Sequence, residues 1–401
     1  MPQTDQRYFR KGLGLKQQVE DALSADYHSR LVDRVRESGG TMTVEGLTFR
    51  LAKDFGFCYG VDRAVDYAYQ SREKFPDKRI LLVGEIIHNP HVNRKLEAMG
   101  ITILYAGEDG DFDFSGISAE DVVLIPAFGL RVADFQRLRD LGCVLVDTTC
   151  GSVLSVWKRV EQYARDGFTA IVHGKHFHEE TKATVSQALK HERGRYLVVR
   201  HIDEAERICR FIERGDNLAE MEARFRHKVS EGFDFARDLR RVGVANQTTM
   251  LASESLAIGV RIGESMAKRY GMDNLKDHFR TFDTICSATQ ERQDAVLALI
   301  EEPLDAMVVI GGYNSSNTNH LAKICSQKVT TYHISDASCI EAESGAIRYK
   351  PVDTDAEAAR PGWLENGVRT IGITAGASTP NNKIGEAIER ILQSRGLAVP
   401  V

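Results

Sequence analysis

Three times along the chain an apolar run gives way to a short polar turn, and then to apolar positions spaced i, i+3, i+4 and i+7, the period of one helix face. Residues 47–55 lead to Val61, Ala64, Val65 and Ala68. Residues 143–147 turn at Thr148-Thr149 and lead to Val153, Val156, Trp157 and Val160. Residues 279–285 lead to Ala295, Val296, Leu299 and Ile300, with a less regular first turn. A cysteine stands at each seam: Cys58, Cys150 and Cys286. Free backbone N–H groups and the helix dipole at such a position favour the thiolate. The carboxyl end of a strand is also where ligands of open α/β sheets gather.

The same alternation continues elsewhere. Apolar runs at 79–87, 122–125, 168–172, 196–200, 242–245, 306–310 and 369–374 read as strands, with helical patterns such as 92–99 and 383–394 between them. Strands alternating with helices predict an α/β fold with mainly parallel sheets. The expected division is an N-terminal extension, 1–45, followed by three similar α/β domains at 46–149, 150–278 and 279–401. Residues 202–240 read as a charged helical surface insertion in the second domain. Residues 343–365, polar and broken by Gly345, Pro351, Pro361 and Gly362, read as an insertion in the third. Within the extension, 18–37 reads as one helix with Val19, Leu23, Leu31, Val32 and Val35 along a stripe.

Composition narrows the class. The 401 residues are 42% hydrophobic and 27% charged, ordinary for a globular enzyme. A net charge of −5 does not suggest general nucleic-acid binding. Seven widely spaced cysteines do not form a secreted disulfide framework, so reduced thiols are expected. No run approaches a membrane span, and the N-terminus lacks the apolar stretch of a signal peptide. The expected location is cytoplasmic.

Three thiolates can hold one zinc ion or three corners of a [4Fe–4S] cluster. Zinc sites usually draw on close pairs, so ligands this far apart in the chain favour a cluster held between domains. With three thiolates one iron stays open and can act as a Lewis acid. Cys143, Cys209, Cys325 and Cys339 fall in strand, helix or loop contexts that suit ordinary packing. Two hydroxyl-rich turns, Asn314-Ser315-Ser316-Asn317 and Ala377-Ser378-Thr379, lie between an apolar strand and a helix. Such turns either cap the helix or cradle an anion; two of them in one domain favour a phosphate or diphosphate. His88 and His178 follow strands and can donate to phosphate oxygens. Glu180 beside an anionic substrate suits proton delivery, with Glu179 as the competing carboxylate. Gln247-Thr248-Thr249 can reach a substrate hydroxyl or cap the next helix. No clear dinucleotide fingerprint is present.

Taken together, these stretches resemble the 4-hydroxy-3-methylbut-2-enyl diphosphate reductase (IspH/LytB) family. The matching segments are Gly56-Phe57-Cys58-Tyr59-Gly60-Val61, Ile87-His88-Asn89, Asp147-Thr148-Thr149-Cys150, His178-Glu179-Glu180, Gln247-Thr248-Thr249, Ile285-Cys286-Ser287-Ala288-Thr289, Asn314-Ser315-Ser316-Asn317 and Thr374-Ala375-Gly376-Ala377-Ser378. They occur in the family's order. The extension and Pro126-Ala127-Phe128-Gly129 resemble its longer plant and cyanobacterial branch.

The resemblance implies a trefoil of three α/β domains around a central [4Fe–4S] cluster held by Cys58, Cys150 and Cys286, with one open iron for the substrate oxygen. It implies reductive removal of the hydroxyl of an allylic diphosphate, the last step of the methylerythritol phosphate route, giving isopentenyl and dimethylallyl diphosphate. Glu180 would relay protons, and Thr248 would help position that end of the substrate. His88, His178, Ser315, Ser316, Asn317 and Ser378 would grip the diphosphate. Electrons would come singly, from a donor such as ferredoxin or flavodoxin. Two departures stand out: Phe128 occupies a position where many members carry histidine, and His178-Glu179-Glu180 replaces a frequent His-Pro-Glu. The competing readings are a three-thiolate zinc hydrolase of a phosphorylated substrate and a non-catalytic iron–sulfur sensor.

Overall fold

Unbroken apolar runs become strands buried on both faces, as parallel strands covered by helices must be. The computed structural model describes residues 7–282, 284–364 and 367–400. They fall into two compact units, one drawn from Met1–Arg10 and Leu104–Cys286, the other from Lys11–Ile103 and Ser287–Val401.

The first unit contains a four-stranded parallel sheet in the order Phe279–Thr281, Val242–Asn246, Thr169–His173, Tyr196–Val199. It also contains Tyr8–Phe9, Val144–Asp147 and Val122–Ile125, paired in parallel. The edge strand Tyr8–Phe9 comes from the N-terminal extension, and Tyr8 donates its hydroxyl to Asp147 at 2.6 Å.

One expectation is corrected here. Residues 202–240 are not simply a surface insertion. Helix Ile202–Arg214 buries Ala205, Ile208, Cys209, Phe211 and Ile212. They pack with Ile258, Ile262 and Met266 of helix Ala252–Tyr270 in one core. High charge on its outer face masked an inner stripe of helical period.

The second unit is built on a five-stranded sheet, Thr331–Ile334, Ala306–Ile310, Thr370–Ala375, Leu47–Leu51, Thr41–Val44. All neighbours are parallel except the last pair. Strand Leu47–Leu51, which leads to Cys58, is therefore hydrogen-bonded to the last strand of the chain. The stretch read as one helix over 18–37 is two, Lys16–Tyr27 and Arg30–Glu37. Ser29 restarts the helix by accepting from the Val32 N–H. Residues within 343–365 carry strands Ala346–Tyr349 and Ala358–Arg360 of a small antiparallel sheet, and Trp363 and Leu364 anchor in the core.

His333 shows how this core meets the turns above it. It is 2% exposed, and Nε2–H donates to the Gly311 carbonyl at 3.0 Å. Burial lowers its pKa to about 4, against the partly opposing effect of that hydrogen bond. The unfolded chain binds a proton near pH 6.5, which the folded state refuses until near pH 4. Stability from this group is full above pH 6.5 and falls as the pH drops through that window. In urea titrations, wild type should lose about 2 kcal/mol more than His333→Gln between pH 7.5 and pH 5. Equal losses would show that His333 is not excluded from protonation.

Candidate active site

The three seam cysteines differ from the other four in surroundings. Cys58 is the N-cap of helix Tyr59–Lys74, and Cys150 that of Gly151–Arg165. Cys286 directly precedes helix Ser287–Leu299. All three are half-buried, whereas Cys143, Cys209, Cys325 and Cys339 are buried. Burial pushes the thiol of Cys143 up, that of Cys209 up to about 11 and that of Cys325 up to about 12. A metal-binding sulfur must be a thiolate and must be reachable. The seam cysteines meet the second requirement and the four buried ones fail it, while burial also keeps Cys143, Cys209 and Cys325 as thiols.

Within the first unit, hydrogen bonds lace four expected residues together and tie them to the helix turn that follows a fifth, Cys150. Cys150 donates its backbone N–H to the Ala127 carbonyl at 3.0 Å. Two residues further on, the Ser152 hydroxyl donates to the Cys286 sulfur at 3.3 Å. The Cys286 N–H reaches the Thr248 carbonyl at 3.3 Å. The Thr248 N–H donates to Glu180 Oε1 at 2.6 Å. Glu180 is 1% exposed, whereas the Glu179 side chain is half exposed. His178 caps helix Glu179–Ser186, its Nδ1 accepting from the Glu180 N–H at 3.1 Å. An accepting Nδ1 places the ring proton on Nε2, leaving that atom as the donor. Phe128 stands edge-on to the His178 ring, 5.5 Å between centroids. Gln247 is occupied structurally. Its Oε1 accepts from the Lys175 N–H and the Thr181 hydroxyl, both at 3.1 Å, and its Nε2 donates to Thr249 at 2.9 Å.

Within the second unit, three turns converge. Ser315 caps helix Ser316–Cys325; its hydroxyl oxygen accepts from the Thr318 N–H at 3.3 Å and from the Thr318 hydroxyl at 3.0 Å. Asn317 Oδ1 accepts from the Ala377 N–H at 3.0 Å. Asn317 is 2% exposed, and among the described residues its Nδ2 has no hydrogen-bond partner. An amide donor left over in this way beside two hydroxyl turns suits an anionic acceptor. Asn89 Nδ2 donates to the Ser378 carbonyl at 2.8 Å, and the Ser378 hydroxyl to the His88 carbonyl at 3.2 Å. Side chains are excluded where these turns touch. A Cβ on Gly312 would meet the His88 carbonyl at 2.8 Å, and one on Gly376 would meet the Thr318 hydroxyl at 1.9 Å. His88 Nδ1 lies 2.8 Å from Glu85 Oε2, an ion pair when the ring is protonated. To donate to phosphate through Nε2 as well, His88 must carry both ring protons. Cys58 is tied to the same turns, its N–H donating to the Ala377 carbonyl at 3.2 Å.

Asn89, part of the Ile87-His88-Asn89 stretch, also caps helix Pro90–Ala98. Two contributors carry no motif. Ser152 and the buried Arg292 sit inside helices, where nothing in the local pattern singles them out. Asp283, within the expected third strand, lies outside the described residues, and that strand is observed as Phe279–Thr281.

The LytB protein family model matches residues 49–392. A relative from Gloeobacter violaceus is 47% identical, covering 97% of this chain and 93% of its own. One from Thermosynechococcus vestitus is 46% identical over 98% and 96%. Both are named 4-hydroxy-3-methylbut-2-enyl diphosphate reductase. A solved structure of (E)-4-hydroxy-3-methyl-but-2-enyl diphosphate reductase is 27% identical with a TM-score of 0.53, covering 86% of this chain and 99% of that one. The E-1-hydroxy-2-methyl-but-2-enyl-4-diphosphate reductase of Plasmodium falciparum has a TM-score of 0.61 at 20% identity, covering 86% and 87%, a likeness of fold.

Proposed function

Because the chain belongs to the LytB family, which its sequence matches over residues 49–392, we propose that it reduces (E)-4-hydroxy-3-methylbut-2-enyl diphosphate to isopentenyl and dimethylallyl diphosphate. Two electrons and two protons are consumed, the allylic C–O bond breaks and the oxygen leaves as water. Family membership brings an iron–sulfur cofactor. The finer reading is one [4Fe–4S] cluster with Cys58, Cys150 and Cys286 as ligands and one iron open. The observation that carries it is the division among the seven cysteines: these three stand half-buried at helix starts and the other four are buried.

When bound, the cluster supplies single electrons and a Lewis-acidic site. The chain's own residues do the rest. Glu180 holds the proton that meets the leaving hydroxyl, its other oxygen fixed by the Thr248 N–H. Thr248 sets that end of the substrate. His178 donates through Nε2, and His88 as the imidazolium. Asn317 Nδ2, Ser316 and the remaining hydroxyl hydrogen of Ser315 serve as further donors to the diphosphate. Ser378 joins them by turning its hydroxyl away from the His88 carbonyl. Phe128 contributes an apolar edge where many relatives in the resemblance have an imidazole. The three-domain division 46–149, 150–278 and 279–401 belongs to this reading, with strand Leu47–Leu51 lent to the third sheet. So do a one-electron donor such as ferredoxin or flavodoxin and a cytoplasmic location. Among the described residues no helix is long and apolar enough to cross a membrane.

The test is anaerobic purification with iron, zinc and acid-labile sulfide analysis, then turnover with reduced viologen. A colourless protein holding one zinc and no sulfide would defeat the cluster in favour of a hydrolase. An intact cluster that binds substrate without turnover would favour a sensor. Asn317→Ala tests the cradle. Losing a hydrogen bond to a charged group should weaken substrate affinity about tenfold or more while iron content stays at the wild-type level. Unchanged affinity would remove Asn317 from the diphosphate site.

A further inference from the structure

Arg292 is 6% exposed, six residues after Cys286 on helix Ser287–Leu299. Among the described residues its guanidinium makes four hydrogen bonds, all to backbone carbonyls. Nη2 donates to Gly56 at 2.7 Å and to Phe57 at 3.2 Å, Nε donates to Gly56 at 3.2 Å, and Nη1 donates to Ala288 at 2.8 Å. Among the described residues no carboxylate pairs with it. A guanidinium withdrawn from water without a counter-ion is costly, and carbonyl dipoles offset only part of that cost. An anionic centre nearby would offset more, and inorganic sulfide with three thiolates is such a centre.

The turn it grips is demanding in its own right. Gly56 has φ +77°, and a Cβ there would meet Asn381 Oδ1 at 2.9 Å and the Thr379 carbonyl at 3.3 Å. Cys58 follows within two residues. Arg36 adds a second positive charge along this segment, its guanidinium 4.2 Å above the Phe55 ring. One helix thus begins at one expected ligand and carries the side chain that fastens the approach to another.

We propose that Arg292 is a positioning residue for the iron–sulfur centre: it clamps the Gly56-Phe57 turn so that Cys58 presents its sulfur to the metal, and it places positive charge beside that ligand. The inference rests on the cluster reading above. Outer-shell partners of this kind typically change metal affinity by about 10- to 100-fold when removed.

The test compares Arg292→Met and Arg292→Lys with wild type, as full chains reconstituted anaerobically with iron and sulfide. Three quantities are read: the rate of iron loss to a chelator, the midpoint potential of the cluster and the melting temperature of the metal-free chain. Arg292→Met should lose iron about tenfold or more faster, and its potential should move negative, because a positive charge that favours the reduced cluster is gone. Arg292→Lys should also lose iron quickly, since a single ammonium nitrogen cannot stand at once where Nη2 meets the Gly56-Phe57 turn and where Nη1 meets the Ala288 carbonyl. Its potential should stay nearer wild type because the charge remains. Wild-type rates and potentials in both variants would overturn the proposal. So would a lowered melting temperature of the metal-free chain with iron loss and potential unchanged, since that marks a purely structural role. A wild type that binds no cluster sinks the functional reading itself, an outcome visible before any variant is made.

Discussion

Cys150→Ser should purify anaerobically with most of its iron and sulfide gone and with turnover lost. Cys150 caps helix Gly151–Arg165, and serine is a preferred residue at that position. The substitution therefore preserves the local fold, and the melting temperature of the metal-free chain should hold or rise slightly. What changes is the ligand. Iron–sulfur centres are held by cysteine sulfur, and a serine hydroxyl, far harder to deprotonate than a thiol, is a poor replacement. The informative control is Cys325→Ser. Cys325 is fully buried in helix Ser316–Cys325. A hydroxyl there has to find a partner in the core, so that variant should lose stability yet keep its iron. Full iron and sulfide content in Cys150→Ser would remove Cys150 from the ligand set.

Glu180→Gln should keep the cluster and the affinity for substrate, while kcat falls by about 100-fold or more, the usual range for losing a positioned proton donor. The amide is nearly isosteric, and its oxygen can still accept the Thr248 N–H that Glu180 Oε1 accepts now. The chain of bonds that runs through Thr248 to Cys286 is thereby retained. Only the capacity to hold and release a proton is lost. Glu179→Gln is the paired measurement. The Glu179 side chain is half exposed, with Oε2 3.9 Å from His178 Nδ1, and its replacement should reduce kcat far less than Glu180→Gln does. A stalled Glu179→Gln beside an active Glu180→Gln would exchange the two roles. Equal KM with reduced kcat separates a proton-delivery defect from a binding defect.

The candidate active-site residues split sharply in how readable they are. The cysteines stand out because strand, turn and helix periods change around each of them, and that change is written locally. His178, Ser315 and Asn89 are readable for a related reason, since helix starts draw on a short list of capping side chains. Arg292 and Ser152 are different. Their partners lie 236 and 134 residues away in the chain, and no local period signals a bond of that range. Gln247 looks from its neighbourhood like a substrate contact, yet Lys175, Thr181 and Thr249 already use it.

By itself the sequence determined the element types, their alternation and the position of each cysteine at a strand–helix seam, because hydrophobic period and capping chemistry act over a few residues. It also determined family membership, through the order of many short motifs. Tertiary structure alone decided which strands pair. Leu47–Leu51 joins Thr370–Ala375, and Tyr8–Phe9 extends the edge beside Val144–Asp147. It alone placed helix Ile202–Arg214 in a core. Strand partners and buried faces are chosen by which apolar surfaces can be removed from water together, a property of the whole chain that no local window contains.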